Sequence, residues 1–140
     1  MLVDSHCHIN FPELAENLTQ VLDKMAKNQI AYALAVSVSR QTADEVLALS
    51  TQYDHIFASV GVHPAEEDAA EFSFDELVQR CQHPRVVAIG ETGLDYHWCK
   101  GDLAWQHHRF RVHIQAAKAA GVPLIIHTRE APQDTIRILQ

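Results

Sequence analysis

A fivefold alternation dominates this 140-residue sequence: a short apolar run, then a stretch with helical spacing. The runs are Leu2-Val3, Ile30–Val38, Ile56–Val60, Val86–Ile89 and Leu124–Ile126. Between the first two, Leu14–Asn28 places Leu14, Leu18, Val21, Leu22 and Met25 on one stripe, which predicts a single amphipathic helix. Thr42–Tyr53 presents Val46 and Leu49 on one face. Ser73 followed by Glu76 is a capping-box signature for a third helix. Leu103–Ala120 predicts a long helix closed by Gly121, and Thr135–Leu139 begins another. Strands that alternate with helices, without hairpin signals, require a parallel sheet covered by helices. Ile30–Val38 (IAYALAVSV) is almost continuously apolar, so it reads as a strand buried on both faces.

Two α/β architectures satisfy that pattern, an open doubly wound sheet and a (β/α)₈ barrel. No G-x-G-x-x-G follows the first run, which weakens the dinucleotide-binding version. The residues able to do chemistry follow runs one, three, four and five, and a barrel collects such strand ends on one rim. The expected fold is therefore the (β/α)₈ TIM barrel. A complete barrel takes about 250 residues. Residues 1–140 supply about five of the eight units and read as the truncated N-terminal part of a single barrel domain.

On a strand, residues i and i+2 point to the same side. His6 and His8 can thus chelate one metal ion, and neutral imidazole suits zinc, manganese, iron or nickel. Cys7, between them, points the other way. Glu91 follows the fourth run and is flanked by Gly90 and Gly93; its carboxylate has enough lone pairs to bridge two cations. Asp95 is either an acceptor behind a ligand or a turn residue. His127 closes the fifth run, a third imidazole in an equivalent place. His63 ends the third run, suited to binding phosphate or supporting a ligand, and Pro64 fixes its turn. Arg129 suits bidentate contact with phosphate, or else forms a surface ion pair. His107, His108 and His113 fall on the long helix and read as structural or solvent-facing; Trp98 and Trp105 either cover the rim and shield substrate or, as the favoured reading, pack in the core.

The formal charge of −7 lacks the basic footprint of sequence-independent nucleic-acid binding, although metal ions can hold a phosphate substrate. Cys7, Cys81 and Cys99 form no C-x-x-C pair, which points to free thiols in a reducing compartment. Asp4 and His6 interrupt any signal peptide, and no apolar stretch is long enough to span a bilayer. A cytoplasmic protein without a membrane partner is expected.

Asp4-Ser5-His6-Cys7-His8, Gly61-Val62-His63-Pro64, Gly90-Glu91-Thr92-Gly93-Leu94-Asp95-Tyr96 and His127-Thr128-Arg129 together resemble the TatD family of metal-dependent deoxyribonucleases. Gln106, Phe110 and His113 resemble that family's helix before the fifth strand. The resemblance implies a metallo-dependent hydrolase barrel that cleaves phosphodiester bonds in DNA. It implies two divalent metal ions (Mg, Mn or Zn), with His6 and His8 on one, His127 on the other and Glu91 bridging. Glu91 would be central to catalysis, with His63 and Arg129 holding the substrate phosphate. A later histidine and a later aspartate complete the family's ligand set. Two alternatives stand beside it. One is an amidohydrolase acting on a cyclic amide or ester. The other is a non-catalytic fragment that self-associates through its open sheet edges.

Overall fold

The computed structural model describes all 140 residues. In chain order it comprises β1 (Leu2–Cys7), α1 (Pro12–Ala15), α2 (Leu18–Lys27), β2 (Ile30–Ala35), α3 (Arg40–Gln52), β3 (Ile56–Val60), α4 (Phe74–Arg80), β4 (Val86–Asp95), α5 (Ala104–Ala120), β5 (Leu124–Arg129) and α6 (Pro132–Leu139). The sheet runs β1-β2-β3-β4-β5, and every neighbouring pair is parallel. A doubly wound sheet reverses its strand order at a switch point. None occurs here, so the sheet is a curled half-barrel, the first part of a TIM barrel.

Local sequence explains most of the element ends. Ser73 Oγ accepts the Glu76 amide at 3.2 Å, and Glu76 returns a carboxylate oxygen to the Ser73 amide at 2.8 Å. Gly121, with φ of 68°, closes α5 in the left-handed conformation. The predicted Leu14–Asn28 helix is instead two helices. Pro12 starts α1, which ends after one turn, and Leu14 is exposed. Only Leu18, Val21, Leu22 and Met25 pack against the sheet.

Three strands run further than their apolar runs predict. β1 carries His6, β5 carries His127 and Arg129, and β4 continues through Gly90–Asp95. The register between β4 and β5 shifts between Ile89 and Thr92. Gly93 makes this extension sterically feasible. Its φ is 137°, and a Cβ there would lie 2.0 Å from the His127 carbonyl oxygen. Backbone of β4 and β5 therefore approaches too closely for any side chain.

The core lies between sheet and helices. One cluster gathers Val60, Leu77 and Ile89 under α4 and α5; a second gathers Ala33, Val46 and Ile56 under α2 and α3. The opposite, concave face does not match the two-sided burial expected of the second strand. Val3 is 61% exposed and Tyr32 45%. With Leu34 and Phe57 they line an apolar hollow of about 350 Å³. A closed barrel fills that space with side chains from all eight strands, and five strands cannot. No helix is long and apolar enough to cross a membrane.

His113 is a buried structural histidine on α5. Its Nε2 accepts the Val62 amide at 3.2 Å, and its Nδ1 donates to the Arg109 carbonyl at 2.8 Å. Burial holds its pKa down at about 4, against an ordinary value of 6.5. Between those values the unfolded chain binds more protons, so stability rises with pH there. Acidification from about 6.5 to about 4 is expected to remove on the order of 3 kcal/mol. Thermal melts across that range should show the loss, and His113→Gln should flatten it.

Candidate metal centre

The C-terminal ends of β1, β3, β4 and β5 meet on one rim. His6 lies in β1 and His8 just beyond it, His63 three residues past β3, Glu91 within β4 and His127 within β5. Gly61 is what lets β3 and β4 close up beneath them, since a Cβ there would stand 2.7 Å from Gly90 backbone atoms. The close approach allows the Glu91 amide to reach the Ser37 carbonyl, at 2.7 Å. Below it, Ser59 Oγ donates to the Gly90 carbonyl at 2.6 Å and Ser37 Oγ to the Gly61 carbonyl at 2.8 Å. The backbone carrying Glu91 is thus pinned by buried hydroxyls.

Glu91 is buried, and its two carboxylate oxygens face different imidazoles. Oε2 lies 3.3 Å from His6 Nε2 and 3.8 Å from His8 Nε2. Oε1 lies 3.4 Å from His127 Nδ1 and 4.0 Å from His63 Nε2. No hydrogen bond satisfies either oxygen; the shortest of these separations exceed an ordinary charge-assisted hydrogen bond of roughly 2.7–2.9 Å. They do suit shared coordination. Two donor atoms each roughly 2.0–2.2 Å from one ion, at tetrahedral or octahedral angles, stand roughly 3.0–3.5 Å apart. Two clusters therefore come within coordinating reach of an ion: His6, His8 and Glu91, and Glu91 and His127 with His63 beside them.

Hydrogen bonds fix which ring nitrogen is bare. His8 donates from Nδ1 to the Val36 carbonyl at 3.1 Å and stacks on Phe11 at 4.7 Å, leaving the Nε2 lone pair directed at Glu91. Asp95 is fully buried. Burial alone would raise its pKa, but the Trp98 amide, the His127 ring and the His97 amide together hold it below the usual carboxylate value. It therefore accepts His127 Nε2–H at 2.9 Å and leaves His127 Nδ1 bare. His63 differs. Its Nδ1 accepts the Ala65 amide at 3.0 Å, so the proton resides on Nε2, which donates to His127 Nδ1 at 3.1 Å. Burial first, and then neighbouring His127, lowers the His63 pKa to about 4. His63 is a neutral donor aimed into the site, while His8 and His127 offer lone pairs and His6 directs Nε2 at Glu91.

The structure thus gathers His6, His8, His63, Glu91 and His127, and sets Asp95 behind His127. Arg129 is on the rim but forms no ion pair; its guanidinium carbon lies 5.5 Å from the Trp98 ring centre. Cys7 faces away, its thiol against the Leu34 carbonyl at 3.3 Å and its pKa raised to about 11, by burial above all. His97 pairs with Glu130, His107 with Tyr96, and neither joins the cluster.

One expectation is corrected: Trp98 is not core packing but 66% exposed, and it lines a cleft of about 300 Å³ shared with His8, Phe11, His63, Glu66 and Glu91. Asp95 holds the Trp98 amide outside the helix-side core, which composition cannot reveal. Two supporting residues escaped sequence reasoning. Phe11 seats His8. Arg109, fully buried, donates to the carbonyls of His63 and Glu66 at 2.8 Å each and so holds the turn that presents His63. The available signal was the spacing of Gln106, Arg109 and His113, which puts three polar side chains on the buried face of α5.

Comparison with known proteins identifies the family to which this fold belongs. The family model described as TatD related DNase matches residues 3–140. The chain is 35% identical to an uncharacterized metal-dependent hydrolase, YabD, of Bacillus subtilis, covering 100% of this chain and 55% of that protein. It is 30% identical to the human deoxyribonuclease TATDN3, covering 99% of this chain and 56% of that one. The crystal structure of the TatD homologue YJJV from Escherichia coli superposes with a TM-score of 0.84 at 25% identity, covering 99% of this chain and 54% of that structure. The chain spans about half the length of the curated relatives it matches. With the half-barrel and the histidine–carboxylate rim in place, the match over residues 3–140 makes this chain a member of the TatD-related family of metal-dependent hydrolases.

Proposed function

We propose that the whole protein hydrolyses phosphodiester bonds in DNA with two divalent metal ions, and that residues 1–140 are the N-terminal part of its single barrel domain. The observation that carries this reading is the division of Glu91: one oxygen toward His6 and His8, the other toward His127. Such a carboxylate suits two ions held side by side. His6 and His8 would hold one and His127 Nδ1 the other, with Asp95 engaging Nε2 and so turning Nδ1 toward the site. When bound, such ions lower the pKa of water and neutralise charge on a phosphate. His63 supplies what a lone-pair ligand cannot, an N–H directed at the site, suited to a non-bridging phosphate oxygen. Arg129 adds positive charge at the rim. The human relative's designation as a deoxyribonuclease supports DNA as substrate.

The amidohydrolase alternative has no specific observation in its favour. For residues 1–140 alone, the exposed concave face and the β1 and β5 edges favour association with further chain or a second copy.

Calorimetric titration of the full-length protein with Mn²⁺ is expected to give two sites per chain. The same protein should cleave single- or double-stranded DNA with Mg²⁺, Mn²⁺ or Zn²⁺. A stoichiometry of one, unchanged in Glu91→Gln, would refute the bridging role.

A further inference from the structure

Trp98 presents most of its surface to solvent beside a histidine–carboxylate centre, where an indole normally buries its apolar area. It is also firmly seated. Asp95 Oδ1 accepts the amides of Trp98 at 2.8 Å and His97 at 2.9 Å, while Oδ2 of the same carboxylate holds His127 at 2.9 Å. One buried carboxylate therefore fixes the backbone of Trp98 relative to the ring of His127. Arg129 lies over the indole, and His97 meets it edge-on at 4.8 Å. The cleft it borders, about 300 Å³, is at the small end for a ligand site. That volume suits one nucleotide unit rather than a duplex. Glu66 lines it, and residues 1–140 carry 18 acidic against 11 basic residues, a poor footprint for binding through a basic track along a phosphate backbone. Beyond what the ions and His63 would hold at the phosphate, base stacking is a source of affinity that needs no cationic track.

From these observations, and resting on the phosphodiesterase reading above, we infer that Trp98 and Arg129 form a stacking platform for an unpaired nucleobase attached to the phosphate that His63 and ions at Glu91 would hold. The platform recognises the planar ring of a nucleotide, whichever base it carries, because every base offers a π-face.

The test uses full-length protein and two readouts. The first is hydrolysis of the p-nitrophenyl esters of thymidine 5′-phosphate and 3′-phosphate, compared with methyl p-nitrophenyl phosphate, which has the same leaving group and no base. Trp98→Ala is expected to lower the ratio of kcat/KM for a thymidine ester to that for the methyl ester roughly 5- to 100-fold, mainly through KM. Trp98→Phe should retain most of the ratio. An unchanged ratio in a Trp98→Ala variant that keeps its methyl-ester rate overturns the platform; where both rates fall together, the fluorescence readout decides. The second readout is indole fluorescence. Thymidine 5′-monophosphate should quench the wild-type emission, and the quench should disappear in Trp98→Phe. If no diester is cleaved while the quench persists, the platform stands and the hydrolase reading falls. Absence of any quench overturns the platform.

Discussion

Glu91→Ala is expected to reduce DNA cleavage by at least about 10³-fold while leaving the folded protein intact. The sign of the stability change separates this role from a structural one. Glu91 is buried beside four imidazoles, and none of them makes a hydrogen bond to it. A buried carboxylate without donors costs free energy, so its removal should leave the metal-free melting temperature unchanged or raise it. The wild-type protein should gain stability with added Mn²⁺ by mass action, and the variant should lose most of that gain. Differential scanning calorimetry with and without Mn²⁺, beside a cleavage assay, measures all three quantities. A variant that melts lower without metal and keeps its metal response would place Glu91 in the scaffold instead.

Gly93→Ala is expected to be the most damaging conservative change in the chain. Its Cβ would fall 2.0 Å from the His127 carbonyl oxygen, at a backbone φ of 137°. β4 and β5 would have to separate where the strand holding Glu91 pairs with the strand holding His127. Left-handed strain and overpacking together amount to about 4 kcal/mol, a large part of a domain's total stability. Gly101→Ala is the control. Gly101 also has a positive φ, 88°, but nothing lies within 4 Å of its added methyl group. Urea denaturation should show a cost of about 1–2 kcal/mol at Gly101 and more than twice that at Gly93. Equal costs would mean that the β4–β5 approach does not depend on the missing side chain.

The alternation of strand and helix was legible because each βα unit must bury an apolar face, and that requirement is written residue by residue. Strand ends were less so. Gly90-Glu91-Thr92-Gly93 resembles a turn, yet β4 passes through it, because glycine tolerates the close backbone contacts that pairing with β5 demands. The cluster of His6, His8, Glu91 and His127 followed from their positions after apolar runs. A donor role for His63 was among the readings its position allowed. What stayed hidden was the Ala65 amide that fills Nδ1 and puts the proton on Nε2, a contact that no residue type announces. For Trp98 hydropathy favoured the core over the rim, whereas Asp95, accepting the amides of His97 and Trp98, places it on the rim.

β1 and β4 are not neighbours, for β2 and β3 lie between them. In a flat sheet, three strand spacings would separate them by roughly 14 Å. Yet His6 Nε2 on β1 stands 3.3 Å from Glu91 Oε2 on β4. The two side chains span part of that gap, and the roll of the sheet at its upper rim closes the rest. An ion held by both residues would act as a clasp across the curl, resisting any flattening of the four strands. Metal loading and sheet curvature are then linked: whatever opens the roll weakens the ion's grip, and whatever binds the ion stiffens the roll.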